Sequence, residues 1–210
     1  MRDFPGGMPV SAGRICVFCG SSVGINPKYL AEAKSLGQQI ADRGWSLVYG
    51  GTSVGLMGAT ADAALSRDAE VIGVLPRALQ DREIAHRSLT KLHTVGSMHE
   101  RKALMASLSD AFIALPGGYG TLDEFFEIVT WAQINIHSKP CVLINTDGYY
   151  DFLLRFLDVA AKEEFVKPAN LRLVQVARDS AEALRWIEQL RDKALLDHDI
   201  NTQNADGLKP

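Results

Sequence analysis

Cysteine is scarce: three residues in 210, Cys16, Cys19 and Cys141, are too few for a disulfide-stapled framework. Positive charge is not in surplus either. The formal net charge of -3 argues against a broad nucleic-acid-binding face, so any anion site must be local. No apolar run approaches the ~20 residues that span a bilayer, so no membrane partner is expected. The segment Met1–Gly13, with Pro5, Gly6, Gly7 and Pro9, lacks the apolar stretch of a secretion signal, and a cytoplasmic location is the expectation. Ligand-spaced histidines are missing as well. His99-Glu100-Arg101-Lys102-Ala103 is not H-E-x-x-H, and His86, His93 and His137 are scattered through loops, so no metal is expected. No loop spells G-x-G-x-x-G, and no Gly-Lys-Ser/Thr marks a P-loop, so neither NAD nor ATP is implied and no cofactor is expected. Cys16 and Cys19 form a C-x-x-C pattern, but inside an apolar run that reads as a strand. Positions three apart there face opposite sides, which makes them packing residues.

What is present is an ordinary globular composition, 47% hydrophobic and 22% charged, of a length that suits one domain. Short β-branched runs alternate with helical patterns, the signature of βαβ units and a parallel sheet. The expected strands are Arg14–Cys19, Ser46–Tyr49, Val71–Leu75, Ala111–Leu115, Cys141–Asn145 and a short one near Leu173–Val176. The expected helices are Pro27–Asp42, Leu56–Leu65, Met98–Leu108, Thr121–Gln133, Tyr149–Lys162 and Ala181–Arg191. Arg77 to Gly96 reads as one long polar loop, of a length that tends to be functional or mobile. The fold class is therefore α/β, a single-domain Rossmann-like three-layer sandwich over residues 14–196. It is flanked by a flexible segment (1–13) and a polar, aperiodic tail (197–210) expected to be disordered.

Three strands end in small-residue loops just before helices: Gly20-Ser21-Ser22, Gly50-Gly51-Thr52-Ser53-Val54-Gly55 and Pro116-Gly117-Gly118-Tyr119-Gly120-Thr121. In a parallel sheet all three lie on one edge, where glycine lets backbone approach a ligand and helix N-termini offer free N–H groups to a phosphate. The third loop runs into Glu124. Thr121-x-x-Glu124 reads as a capping box with Thr121 at the N-cap. It reads equally as a carboxylate looking past a cradled phosphate toward the ribose, placed to stabilise positive charge on the sugar or to activate water. In Met98–Leu108 the apolar stripe is Met98, Leu104, Met105 and Leu108. Arg101 falls inside it and Lys102 lies about 100° away. An arginine on a core face must be paired, structurally with some carboxylate or functionally with the phosphate or Glu124.

Ser97-Met98-His99-Glu100-Arg101-Lys102 and Pro116-Gly117-Gly118-Tyr119-Gly120-Thr121-x-x-Glu124, with fifteen residues between Arg101 and Gly117, resemble the LONELY GUY family. These are cytokinin riboside 5'-monophosphate phosphoribohydrolases, often mislabelled lysine decarboxylases. The similarity runs through Phe18-Cys19-Gly20-Ser21-Ser22, Tyr49-Gly50-Gly51, Gly55-Leu56-Met57-Gly58, Trp131-Ala132-Gln133, Lys139-Pro140 and Asn145-x-Asp147-Gly148-Tyr149-Tyr150, roughly residues 14 to 165. The resemblance implies a homodimer without metal or organic cofactor, acting on a nucleoside 5'-monophosphate, with Arg101 and Glu124 catalytic. It implies that Lys102, Gly118, Tyr119, Gly120, Thr121 and Thr130 contribute to nucleotide binding, together with Glu83 of the long loop; Ser21, Gly51, Met98 and Gly117 complete the candidate substrate-binding set. Nothing marks a pyridoxal-phosphate lysine. Two other functions compatible with the glycine loops are a general purine or pyrimidine nucleotide nucleosidase and a non-catalytic nucleotide or molybdenum-cofactor carrier, the latter needing no Arg101 and Glu124 pair.

Overall fold

The computed structural model describes residues 13–80 and 85–190. The expected tail from 197, all but Gly13 of the N-terminal segment, and Glu83 lie outside the described residues. Seven strands form one parallel sheet: β1 (Arg14–Phe18), β2 (Ser46–Tyr49), β3 (Val71–Pro76), β4 (Lys91–Val95), β5 (Ala111–Ala114), β6 (Cys141–Ile144) and β7 (Val174–Ala177). The helices are α1 (Pro27–Asp42), α2 (Gly55–Leu65), a short α3 (Arg77–Gln80), α4 (Met98–Leu108), α5 (Tyr119–Gln133), α6 (Asp151–Lys162), α7 (Pro168–Leu171) and α8 over residues 180–190. Strand order is β4-β3-β2-β1-β5-β6-β7, so the winding direction reverses between β1 and β5. The crevice beyond the carboxyl ends of two such strands is where open α/β sheets bind ligands. Among the described residues no helix is long and apolar enough to cross a membrane.

The central strands are apolar on both sides because both faces are covered. One core joins Ile15, Val17, Cys19, Leu47 and Tyr49 to Leu36 and Ile40 of α1, Ala64 of α2 and Leu184 of α8. The other joins Cys16, Phe18, Val48 and Phe112 to Met105 of α4 and to Phe125 and Ile128 of α5. Cys16 and Cys19 thus sit in opposite layers, as strand geometry requires. On the first face α1 and α2 approach closely at Gly37, where a Cβ would overlap the Thr60 carbonyl oxygen. The expected result for Gly37→Ala is a loss of about 1–3 kcal/mol in denaturant unfolding, the usual cost of forcing atoms into a packed contact.

Two expectations are corrected. Arg77 to Gly96 is not one loop: it contains α3 and the seventh strand, β4, paired in parallel with β3 from Ile72↔Lys91 to Pro76↔Val95. β4 is an edge strand with no fully buried residue, so its sequence carries little apolar alternation. α5 begins earlier than expected, at Tyr119 with Gly118 as its N-cap, and the proposed Thr121–Glu124 capping box does not form. Thr121 is buried in the first turn, packed so closely on Gly117 that a Cβ there would overlap its hydroxyl. That contact, and the Leu122 N–H donating to the Gly118 carbonyl at 3.1 Å, place the cap three residues upstream of Thr121.

Candidate active site

The sheet reversal opens a cavity of about 230 Å³ at the carboxyl ends of β1 and β5. Cys19, Gly20 and Ser21 line it from the loop after β1, Met57 from α2, Met98 and Arg101 from α4, and Gly118, Tyr119, Gly120, Thr121, Asp123 and Glu124 from the start of α5. No side chain caps the N-terminus of α5. Its first N–H groups and the positive end of its dipole are therefore free to receive an anion at the cavity. Gly118 and Gly120 border open space, so the backbone is bare where a ligand would approach. A second hollow of about 290 Å³ adjoins through Gly20, Ser21 and Gly118 and is walled by Tyr29 and Tyr149.

The same cavity is lined by a buried ion pair. Arg101 is only 6% exposed, and its Nη1 is 2.9 Å from Glu124 Oε1. Arg101 Nε donates to the Val74 carbonyl at 3.0 Å, and Met98 Sδ lies 4.0 Å from Nη1. The remaining side is cleared by Gly50, where a Cβ would collide with Nη2. Glu124 has its pKa raised, first by burial and then by Asp123 and Glu127, while Arg101 and Lys102 pull it down. The two residues that the sequence placed far apart in the chain thus meet at the cavity floor.

α4 is aimed by a cap that the sequence reading passed over. Ser97 Oγ accepts from the Glu100 N–H at 3.1 Å, and the Glu100 carboxylate accepts from the Gly96 N–H at 2.8 Å. The signal was there, since Ser97-x-x-Glu100 is a capping-box spacing. Met98 does not belong to the buried stripe of α4 as expected; it is 45% exposed, at the cavity wall.

Of the other candidates, Ser21, Gly118, Tyr119, Gly120 and Thr121 line the cavity, and Gly117 lines the adjoining hollow. Gly51 is buried away from both, with φ 78° and its carbonyl accepting from the His86 N–H at 3.0 Å. Lys102 stands beside the cavity, its Nζ held by Glu127 at 2.9 Å and Asp123 at 3.1 Å. Thr130 is exposed further along α5 and donates to the Phe126 carbonyl. Met57, Cys19, Asp123 and Gly50 were not anticipated as site residues. Burial and the Glu124 carboxylate push the Cys19 thiol far up, so it stays protonated and is no nucleophile. His99 is exposed, and among the described residues no group of three or more His, Cys, Asp or Glu could hold a metal ion.

Residues 57–187 match the family model described as "Possible lysine decarboxylase". The chain is 51% identical over 176 residues to a rice (Oryza sativa subsp. japonica) protein named "Probable cytokinin riboside 5'-monophosphate phosphoribohydrolase", covering 84% of this chain and 72% of that one. It is 49% identical to a cytokinin riboside 5'-monophosphate phosphoribohydrolase of Arabidopsis thaliana, covering 84% and 81%. Among solved structures it is similar to the molybdenum cofactor binding protein of Rippkaea orientalis, with TM-score 0.66, 25% identity and coverage of 86% and 98%. It is also similar to the Moco carrier protein of Chlamydomonas reinhardtii, with TM-score 0.64, 28% identity and coverage of 87% and 99%.

Proposed function

The chain belongs to the cytokinin riboside 5'-monophosphate phosphoribohydrolase family, and we propose on that premise that its cavity hydrolyses the N-glycosidic bond of such nucleotides and of AMP. Water adds its oxygen to the anomeric carbon, the bond from that carbon to the base nitrogen breaks, and the base departs with a proton, leaving ribose 5-phosphate. The observation that carries this reading is the Arg101–Glu124 pair at 2.9 Å on the floor of a glycine-lined anion cavity.

Each part has a physical task. The uncapped start of α5, with Ser21 across from it, seats the 5'-phosphate, so binding energy far from the reacting bond orients the ribose. Glu124 faces the sugar and stabilises the positive charge that grows as the base leaves. Arg101 opposes the burial that favours the protonated carboxyl and keeps Glu124 ionised. Lys102 balances the acidic cluster of Asp123 and Glu127 beside it. The pKa of Lys102 is raised, first by its hydrogen bond to Glu127, so it is a firm cation. A Schiff-base lysine must attack as a neutral amine, which counts against the decarboxylase description. The enzyme is proposed to work as a cytoplasmic homodimer on free nucleotides.

The test is incubation with isopentenyl-AMP and with AMP, following free base and ribose 5-phosphate. The expected result is release from both, with kcat/KM at least about tenfold higher for the prenylated substrate, the scale of discrimination that one apolar group can supply. Equal rates across AMP, GMP and pyrimidine nucleotides would make it a general nucleosidase instead. The likeness to molybdenum-cofactor carriers supports a second reading, a non-catalytic carrier, and tight AMP binding with no base released would favour it.

A further inference from the structure

The turn over residues 145–150 has no task in the reaction above, yet it grips the anion loop from outside. After β6 the chain reverses through two consecutive left-handed residues, Asp147 at φ 55° and Gly148 at φ 73°. Asn145 closes the turn, its Oδ1 accepting from the Tyr150 N–H at 2.7 Å and its Nδ2 donating to Asp151 at 2.8 Å. The Asp147 carboxylate accepts from Asn26 Nδ2 at 2.7 Å and from Lys28 Nζ, which ties the turn to the start of α1. The reversal delivers two adjacent tyrosine hydroxyls to the β5–α5 connection. Tyr150 donates to the Leu115 carbonyl and Tyr149 to the Gly117 carbonyl, each at 2.7 Å. The two rings meet edge to face at 4.8 Å between centroids, and Tyr149 meets Tyr29 the same way at 5.4 Å.

Gly117 has no side chain to fix its place and cannot acquire one, because a Cβ would overlap the Thr121 hydroxyl. Its backbone must be held by its own polar atoms, and Tyr149 holds the carbonyl. That carbonyl and the N–H of Gly118 belong to one planar trans peptide and point in opposite directions. Fixing the first therefore fixes the second, and Gly118 is the N-cap of α5 at the rim of the cavity. We propose that Tyr149 is a positioning residue for the anionic end of the substrate: its hydroxyl locks the Gly117–Gly118 peptide so that the anion seat exists before the ligand arrives. Pre-organisation of this kind strengthens binding by removing an ordering cost. That the anion is a sugar phosphate rests on the function proposed above.

Tyr149→Phe keeps the ring and its edge-to-face contacts and removes only the donor. Calorimetric titration of ribose 5-phosphate and of inorganic phosphate is expected to show binding about five- to tenfold weaker in the variant, the scale of one lost hydrogen bond. Adenine affinity stays as in the parent, and Tm moves by less than ~3 °C. In turnover, KM for AMP rises by the same factor while kcat stays within about twofold. A merely structural role would lower Tm and weaken adenine and phosphate alike, and that outcome, like unchanged phosphate affinity or a fall in kcat at constant KM, overturns the proposal. A parent protein that binds neither phosphate probe overturns it too. Since the titrations need no turnover, a parent that releases no base while phosphate binding still weakens in the variant would remove the reaction and leave the clamp standing.

Discussion

Glu124→Gln is expected to release adenine from AMP at least ~10²-fold more slowly than the parent, the usual loss when a charge-stabilising group is neutralised. That corresponds to ~2.7 kcal/mol of barrier. The substitution is nearly isosteric, and the amide oxygen can still accept from Arg101 Nη1, which now lies 2.9 Å from the carboxylate. What disappears is the negative charge beside the sugar. The proposed phosphate seat at the start of α5 and Ser21 is untouched, so the affinity for AMP measured by calorimetry should change by no more than a few-fold. Loss of rate without loss of affinity is the mark of an interaction made in the transition state. A Gln variant that turns over near the parental rate would remove Glu124 from the mechanism. The parent should also lose activity on the acid side at a pH above that of an ordinary glutamate, because burial raises the Glu124 pKa. The linked stability term has the opposite sense. With the folded pKa raised, the folded state holds this proton more tightly than the unfolded chain. Its contribution is full below the ordinary carboxylate range and is lost as pH rises through the Glu124 pKa, a dependence the Gln variant should lack.

The sequence made the layers of the fold legible because the central strands β1, β2, β5 and β6 are short apolar runs and the helices between them are amphipathic or small. β4 was not legible: Lys91-Leu92-His93-Thr94-Val95 is half exposed at the sheet edge, so its pairing with β3 leaves almost no hydrophobic signature. At the site, Arg101 could be read from its place on the apolar stripe, since an arginine there demands a partner. Its meeting with Glu124 followed once both were assigned to the same edge of a parallel sheet. The start of α5 misled because Thr and Glu three apart are the letters of a capping box, and only packing shows Thr121 turned inward against Gly117. Asp123 gave no signal, and Met57 stood only inside a stretch of family similarity, as each is an unremarkable residue of a helix until the cavity is formed. Glycine loops carried the least specific information. Of the three, the first and third front the cavity through Gly20, Gly118 and Gly120, whereas Gly51 of the second turns the chain inside the protein.

Gly50 makes the sharpest contrast between those two uses of glycine, and Gly50→Ala should be nearly as damaging as losing Arg101 itself. A methyl group at position 50 would occupy the space of Arg101 Nη2 and also press on Met57 Sδ. The guanidinium has little freedom to yield: Nε is held by the Val74 carbonyl at 3.0 Å, and the side chain is 6% exposed. It must swing away from Glu124, which leaves a buried carboxylate without its counter-charge. Burial then acts unopposed, the Glu124 pKa rises further, and the negative charge that the proposed reaction needs is depleted. Base release from AMP should fall ~10²-fold or more in both Gly50→Ala and Arg101→Ala. The acid limb of the remaining activity should move to higher pH in each. The decisive measurement is the double variant. If Gly50 serves only to seat Arg101, Gly50→Ala combined with Arg101→Ala should be no slower than Arg101→Ala alone, since the added methyl then enters space the arginine has vacated. Additive losses would mean that Gly50 touches the substrate directly, as a phosphate-loop glycine would, and that the arginine keeps its place without it.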